Sequence, residues 1–232
     1  MNYLFVGGST GIGAELTKRT LSKGNKVTLI SRSKGSLTED DNLNHITGDI
    51  TDKDFEFPKI NEPLDGLVYF PGTINLKPFR GLKPEAFRED MEINLIGFVS
   101  AMQAYLSNLK KSGNASVIAF STVAVQTGMP FHTSVASAKG AVEGFVRSLA
   151  AELAPKVRVN AIAPSLTDTP LGENLLNTES KQENAKARHP LARYGKPEDI
   201  AAMAEFLLYG ESSWITGQVM HVDGGLSSIP KM

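Results

Sequence analysis

Cysteine is absent from the 232 residues, so disulfides, thiolate zinc sites and a cysteine nucleophile are all excluded. An excess of one charge is also missing: 24 Lys plus Arg stand against 25 Asp plus Glu, a formal net charge of -1. Without a basic face there is no electrostatic basis for gripping nucleic acid or an anionic membrane surface. No apolar run approaches the roughly 20 residues that a bilayer span requires. The opening MNYLFVGGST lacks the basic and long apolar regions of a signal peptide. The histidines other than His132, namely His45, His189 and His221, are scattered without metal-ligand spacing, so they read as solvent-facing or structural and no metal site is expected. What remains is an ordinary globular balance, 41% hydrophobic and 21% charged, consistent with a cytoplasmic protein that buries a sizeable core.

Short apolar runs alternate with longer amphipathic stretches along the chain. The runs are Tyr3–Val6, Lys26–Ile30, Leu67–Phe70, Ser116–Phe120, Val157–Ile162 and Gln218–Val222, with a weaker one near His45–Thr47. Most are nearly continuous in Val, Ile, Leu and Phe, as strands covered on both faces must be. Helices are expected at about 11–23, 84–110, 135–154 and 197–210, with Pro84 and Pro197 near first-turn positions and Ser112-Gly113 as a stop. Such alternation implies an α/β fold, a Rossmann-type doubly wound parallel sheet of about seven strands in one domain spanning 1–232. The polar stretch 165–190, bounded by Pro164 and Pro190 and following a strand, is expected to be an irregular, flexible lid.

The first strand runs into Gly7-Gly8-Ser9-Thr10-Gly11-Ile12-Gly13, where an amphipathic segment begins. Gly7 permits a tight exit from the strand, Gly11 lets the main chain approach a diphosphate, and Gly13 lets helix and strand pack closely. The helix start offers free N–H groups and a partial positive charge to that anion. In the first strand-to-helix turn of an alternating chain, this pattern reads as dinucleotide binding.

The Gly7-x-x-x-Gly11-Ile12-Gly13 spacing resembles the short-chain dehydrogenase/reductase family. Further matches follow in order: Gly48-Asp49-Ile50, Ile93-Asn94-Leu95, Ala136-Ser137-Ala138-Lys139, Val159-Asn160-Ala161-Ile162-Ala163-Pro164, Ile215-Thr216-Gly217-Gln218 and Val222-Asp223-Gly224-Gly225. The resemblance implies that Ser9, Thr10 and Ile12 share the diphosphate turn and that Asp49 and Ile50 meet the adenine. It places Lys139 at the nicotinamide ribose, Gly72 beside it, and Pro164, Ser165, Thr167 and Thr169 near the carboxamide, with turn capping the plainer role for the two threonines. It also implies a homodimer or homotetramer and a small-molecule substrate. At the end of the second strand, Ser31-Arg32-Ser33-Lys34 has no carboxylate until Glu39. A carboxylate there would hold a ribose hydroxyl, whereas Arg32 can bind a 2′-phosphate with Ser31 or Ser33 as added donors, so NADP(H) is favoured over NAD(H).

The family's reaction centre uses a Ser to hold the carbonyl, a Tyr to carry the proton, and a Lys four residues after the Tyr to lower its pKa. Four before Lys139 stands Val135, and the Ser position is Thr122. The turn after the fourth strand is altered as well, to Tyr69-Phe70-Pro71-Gly72. Threonine keeps a hydroxyl, but valine neither gives nor takes a proton. Candidate catalytic residues are therefore Asn94, Thr122, Lys139 and His132, the last as a relocated proton donor, with Tyr194 or a Lys139-bound water as alternatives. Three explanations remain open: an oxidoreductase with an atypical proton relay, a hydride transfer in which substrate protonation is not demanding, or a catalytically silent NADP(H)-binding sensor or scaffold. Arg193 is positioned to clasp a neighbouring carboxylate, and Trp214 is expected to pack or to anchor an interface.

Overall fold

A computed structural model describes residues 1–229 of the chain. Seven strands form one sheet: β1 (Asn2–Val6), β2 (Lys26–Ser31), β3 (Leu43–Thr47), β4 (Gly66–Tyr69), β5 (Ala115–Phe120), β6 (Val157–Pro164) and β7 (Val219–Val222). All pairings are parallel, in the order β3-β2-β1-β4-β5-β6-β7. The expected doubly wound sheet is therefore present. Every residue of β5 is buried and β1 is buried beyond its first residue, which is why these strands carry no alternation of apolar and polar residues.

Strand order reverses at β1, which pairs with β2 on one side and β4 on the other. Register aligns Val6 with both Ile30 and Tyr69, so the carboxyl ends of all three strands open into one crevice. Helices α1 (Gly11–Ser22) and α7 (Pro197–Leu208) cover one face of the sheet, through Leu16, Ile200 and Leu207. The other face is covered by α3 (Gly97–Ser112) and α5 (Thr133–Leu153), through Phe98, Leu109, Val142 and Val146.

Three expectations about local structure need correction. The stretch 84–110 is not one regular helix: α2 (Pro84–Met91) leads through a π turn, Glu92–Ile96, into α3, which ends at Ser112 with Gly113 in the left-handed region at φ 81°. The wide turn brings the buried Asp90 and Asn94 to the inner side of the crevice. The stretch 165–190 is not irregular either. It holds a 3-10 turn, Pro170–Leu175, and a helix α6, Glu179–Arg188, whose Thr178 cap accepts from the Lys181 amide at 3.3 Å. A short helix α4, Ala124–Thr127, was also unforeseen. Among the described residues Trp214 is 99% exposed, so it does not take the packing role expected of it.

Candidate active site

One cavity of about 900 Å³ occupies the crevice and runs from the glycine-rich turn to the inner side of α6. Its walls include Gly7 through Gly13, Ser31, Arg32, Ser33, Asp49, Ile50, Gly72, Thr122, His132, Val135, Lys139, Pro164, Ser165, Thr167 and Thr169. Nearly all the residues singled out in the sequence therefore converge. Asn94 lies directly behind the wall, and Tyr194 does not line the cavity, which removes it from the candidate proton donors.

At the diphosphate end, a Cβ added to Gly13 would lie 2.1 Å from Gly8 Cα. No side chain fits there, because the obstacle is backbone. Thr10 caps α1 without a side-chain hydrogen bond, which leaves the first-turn amides free to face the cavity. Free amides, a close-packed glycine pair and the dipole of a twelve-residue helix fit a diphosphate.

At the neighbouring rim Arg32 is exposed, as is Ser33, but Ser31 is buried and its hydroxyl donates to Ser33 O at 2.8 Å. Ser31 is thus engaged within the turn, and the open donors are Arg32 and Ser33. Lys34 is engaged by Glu39 at 2.5 Å. Asp49 accepts from the Thr51 hydroxyl at 2.7 Å and its amide at 2.9 Å. Those bonds, with Arg32 nearby, hold its carboxyl below the usual aspartate range.

The inner end is built on α5. Val135 and Lys139 lie one turn apart on the same helix face, both buried and both in the cavity wall. Desolvation lowers the Lys139 pKa from 10.5 to about 8, against the opposing pull of the Asp90 charge. A Cβ at Gly72 would lie 3.1 Å from Lys139 Nζ and 3.2 Å from Asn94 Oδ1, so these two polar atoms point at one place. Asn94 Oδ1 is buried without a partner, while its Nδ2 donates to Asp90 O at 2.7 Å and Thr73 Oγ1 at 3.0 Å. Thr122 is half-buried and accepts from the Ala124 amide at 3.3 Å, with its own hydroxyl proton free to point elsewhere. His132, at the start of α5, has Nδ1 2.7 Å from Pro130 O; the carbonyl requires a donor, which leaves Nε2 as the open ring nitrogen.

The far wall comes from the segment after β6. Thr167 Oγ1 donates to Ser165 O at 2.9 Å, and Thr169 accepts from the Gly172 amide at 3.3 Å, so both hydroxyls serve the local turn. Thr169 also packs over Gly11, where an added Cβ would meet its Cγ2 at 3.0 Å. His189 is structural: Nδ1 donates to Ala185 O at 2.7 Å, so Nε2 accepts from Ser165 Oγ at 2.8 Å. Arg193 clasps Asp199 through two bonds of 2.6 and 2.8 Å, as its expected role requires. The site residue missed in the sequence is Asp90. It is wholly buried and bonded to Thr73, Asn75 and Ser134, and only a charged residue on an otherwise inward-facing helix position could have signalled it.

A family model described as enoyl-(acyl carrier protein) reductase matches residues 7–227. The 3-oxoacyl-[acyl-carrier-protein] reductase FabG of Thermotoga maritima is 32% identical over 225 residues, covering 92% of this chain and 88% of the relative. The crystal structure of a short chain dehydrogenase family protein from Francisella tularensis superposes with a TM-score of 0.89 at 26% identity, covering 98% of this chain and 99% of that one. ElxO with NADP bound superposes with a TM-score of 0.86 at 25% identity, over 98% and 99% of the two chains.

Proposed function

Because the chain belongs to the short-chain dehydrogenase/reductase family, we propose that it is an NADP(H)-dependent oxidoreductase acting on a small carbonyl or alcohol substrate. The observation that carries this reading is the single cavity that joins an anion-accepting helix start and Arg32 to Thr122 and Lys139. When bound, the nicotinamide dinucleotide supplies or accepts the hydride.

The amides of the Gly7–Gly13 turn hold the diphosphate, Arg32 and Ser33 hold a ribose phosphate, and Asp49 and Ile50 flank the adenine. Lys139 binds the second ribose, beside Gly72, while the backbone around Pro164, Ser165, Thr167 and Thr169 flanks the nicotinamide. The Thr122 hydroxyl donates to the substrate oxygen. Val135 carries no proton, so the donor is His132, Lys139 or a water that Lys139 holds. Apolar walls from Ile74, Leu76, Met129 and Leu175 suit a substrate with an apolar body. The segment 165–190, already resting on Gly11 through Thr169, acts as the lid that keeps water from the reacting atoms. We further propose a cytoplasmic location, and the family resemblance implies a homodimer or homotetramer. Among the described residues no helix is long and apolar enough to cross a membrane.

Val135 supports a second reading, a catalytically silent NADP(H)-binding sensor or scaffold. Fluorescence titration with NADPH and NADH, followed by a screen of ketones, aldehydes and enones for cofactor oxidation, separates the two. Tight NADPH binding with turnover is the expected result. Tight binding without turnover of any carbonyl leaves the silent reading, and no binding at millimolar cofactor overturns both.

A further inference from the structure

The chain holds a buried carboxylate to which the family mechanism gives no work. Asp90, at 0% exposure near the end of α2, accepts from Thr73 Oγ1 at 2.5 Å, Asn75 Nδ2 at 2.7 Å and Ser134 Oγ at 2.5 Å. Both its oxygens are therefore occupied by donors, and the cluster is anchored to α5 at Ser134, the residue before Val135. Through Thr73 it continues to Asn94 Nδ2, whose Oδ1 is the buried unpartnered atom that shares one point with Lys139 Nζ. Burying a carboxylate this completely costs several kcal/mol unless opposite charge and hydrogen bonds offset it. The cation that this cluster approaches is the buried Lys139, whose Nζ shares the point over Gly72 with Asn94 Oδ1 and whose charged form the Asp90 carboxylate favours.

We propose that Asp90 is the counter-charge that keeps the Lys139 ammonium available as proton donor to the substrate oxygen, in place of the phenol replaced by Val135. The inference rests on the hydride-transfer reading above. In reduction, an ammonium N–H bond breaks and an O–H bond forms on the substrate oxygen, while the carbonyl carbon gains hydride from a reduced nicotinamide dinucleotide. The neutral amine then regains its proton from solvent. Lys139 is better placed for this than His132, because it lies one turn deeper on the face that carries Val135, beside Asn94. Asp90 itself touches no reacting atom; it is a positioning residue.

Other titratable groups lie on the elements around Lys139. Tyr69 on β4 donates to Ile93 O at 2.6 Å, and burial pushes its phenol far above the usual range. Glu143 on α5 is held by Ser121 and Arg147. His132 and His189 line the cavity. The test must therefore observe Lys139 itself. In cofactor-free protein carrying ¹³C-labelled lysine, the Lys139 resonance is identified by its loss in Lys139→Met. It is expected to titrate near pH 8 in the native protein and at least about one pH unit lower in Asp90→Asn, a tenfold change in its ionisation constant. An unmoved midpoint in folded Asp90→Asn overturns the proposal. The pH profile of carbonyl reduction is expected to break downward at the Lys139 midpoint and to follow it in Asp90→Asn. A break at any other pH, or one that vanishes in His132→Ala, also overturns it, and this comparison decides the matter in native protein should Asp90→Asn not fold. If no carbonyl turns over at all, the hydride-transfer reading fails, while the resonance still decides whether Asp90 governs Lys139.

Discussion

The Lys139 ammonium leaves a signature in folding stability that needs neither cofactor nor substrate. In the unfolded chain a lysine holds its proton up to about pH 10.5, whereas in the folded cavity desolvation lowers that point to about 8. Between those values the unfolded state binds one proton more than the folded state, so stability rises with pH. The limiting slope is about 1.36 kcal/mol per pH unit, and the gain between pH 8 and 10 is about 2 kcal/mol. Above pH 10 the sign reverses. Burial holds the phenols of Tyr3, Tyr69 and Tyr105 protonated in the fold after their unfolded counterparts have ionised, so stability is lost again. The expected curve for cofactor-free protein therefore climbs from pH 8 and turns over near 10. Lys139→Met removes the climb and leaves the tyrosine fall. Urea unfolding of both proteins at half-unit pH intervals isolates the lysine, because the tyrosines cancel in the difference. Parallel curves from pH 7 to 10 would show that the ammonium is hydrated in the folded state and would refute the desolvation argument.

Three further substitutions test the cavity. Gly13→Ala puts a methyl 2.1 Å from Gly8 Cα, so NADPH affinity should fall more than tenfold and stability by about 1–3 kcal/mol; fluorescence titration and urea unfolding read the two effects. Arg32→Ala removes the exposed guanidinium at the β2 end and should cut the preference for NADPH over NADH by about 10–100-fold, on about 1.5–3 kcal/mol for a bond to a charged group; an unchanged preference refutes the assignment. Val135→Tyr puts a phenol one turn before Lys139 and should raise carbonyl reduction by on the order of 10²-fold, measured as NADPH oxidation; no gain with a folded, cofactor-binding variant argues against this end of the cavity as the reaction centre.

What the sequence by itself determined was everything that depends on neighbours along the chain. Continuous apolar runs such as Ser116–Phe120 fit strands buried on both faces, and their alternation with amphipathic stretches leads to the parallel sheet. The glycine spacing announced the turn because the need for a missing Cβ is written directly as glycine at position 13. Thr122, Val135 and Lys139 were legible as a set because their spacing resembles the family's reaction centre, and in the fold two of them share a helix face while the third follows a strand end. Tertiary structure alone decided where polar groups spend their hydrogen bonds. Ser31 and the Thr167 and Thr169 hydroxyls turned inward to their own turns, His189 became a buried brace for Ser165, and Tyr194 stayed outside the cavity. Asp90 is the clearest case. On a polar helix it reads as one more solvated charge, and only the packing of α2 against α5, with the π turn beside it, removes it from water and sets it against Lys139. Local pattern reports which residues are available, but charge burial depends on how distant segments meet, and that meeting is a property of the fold.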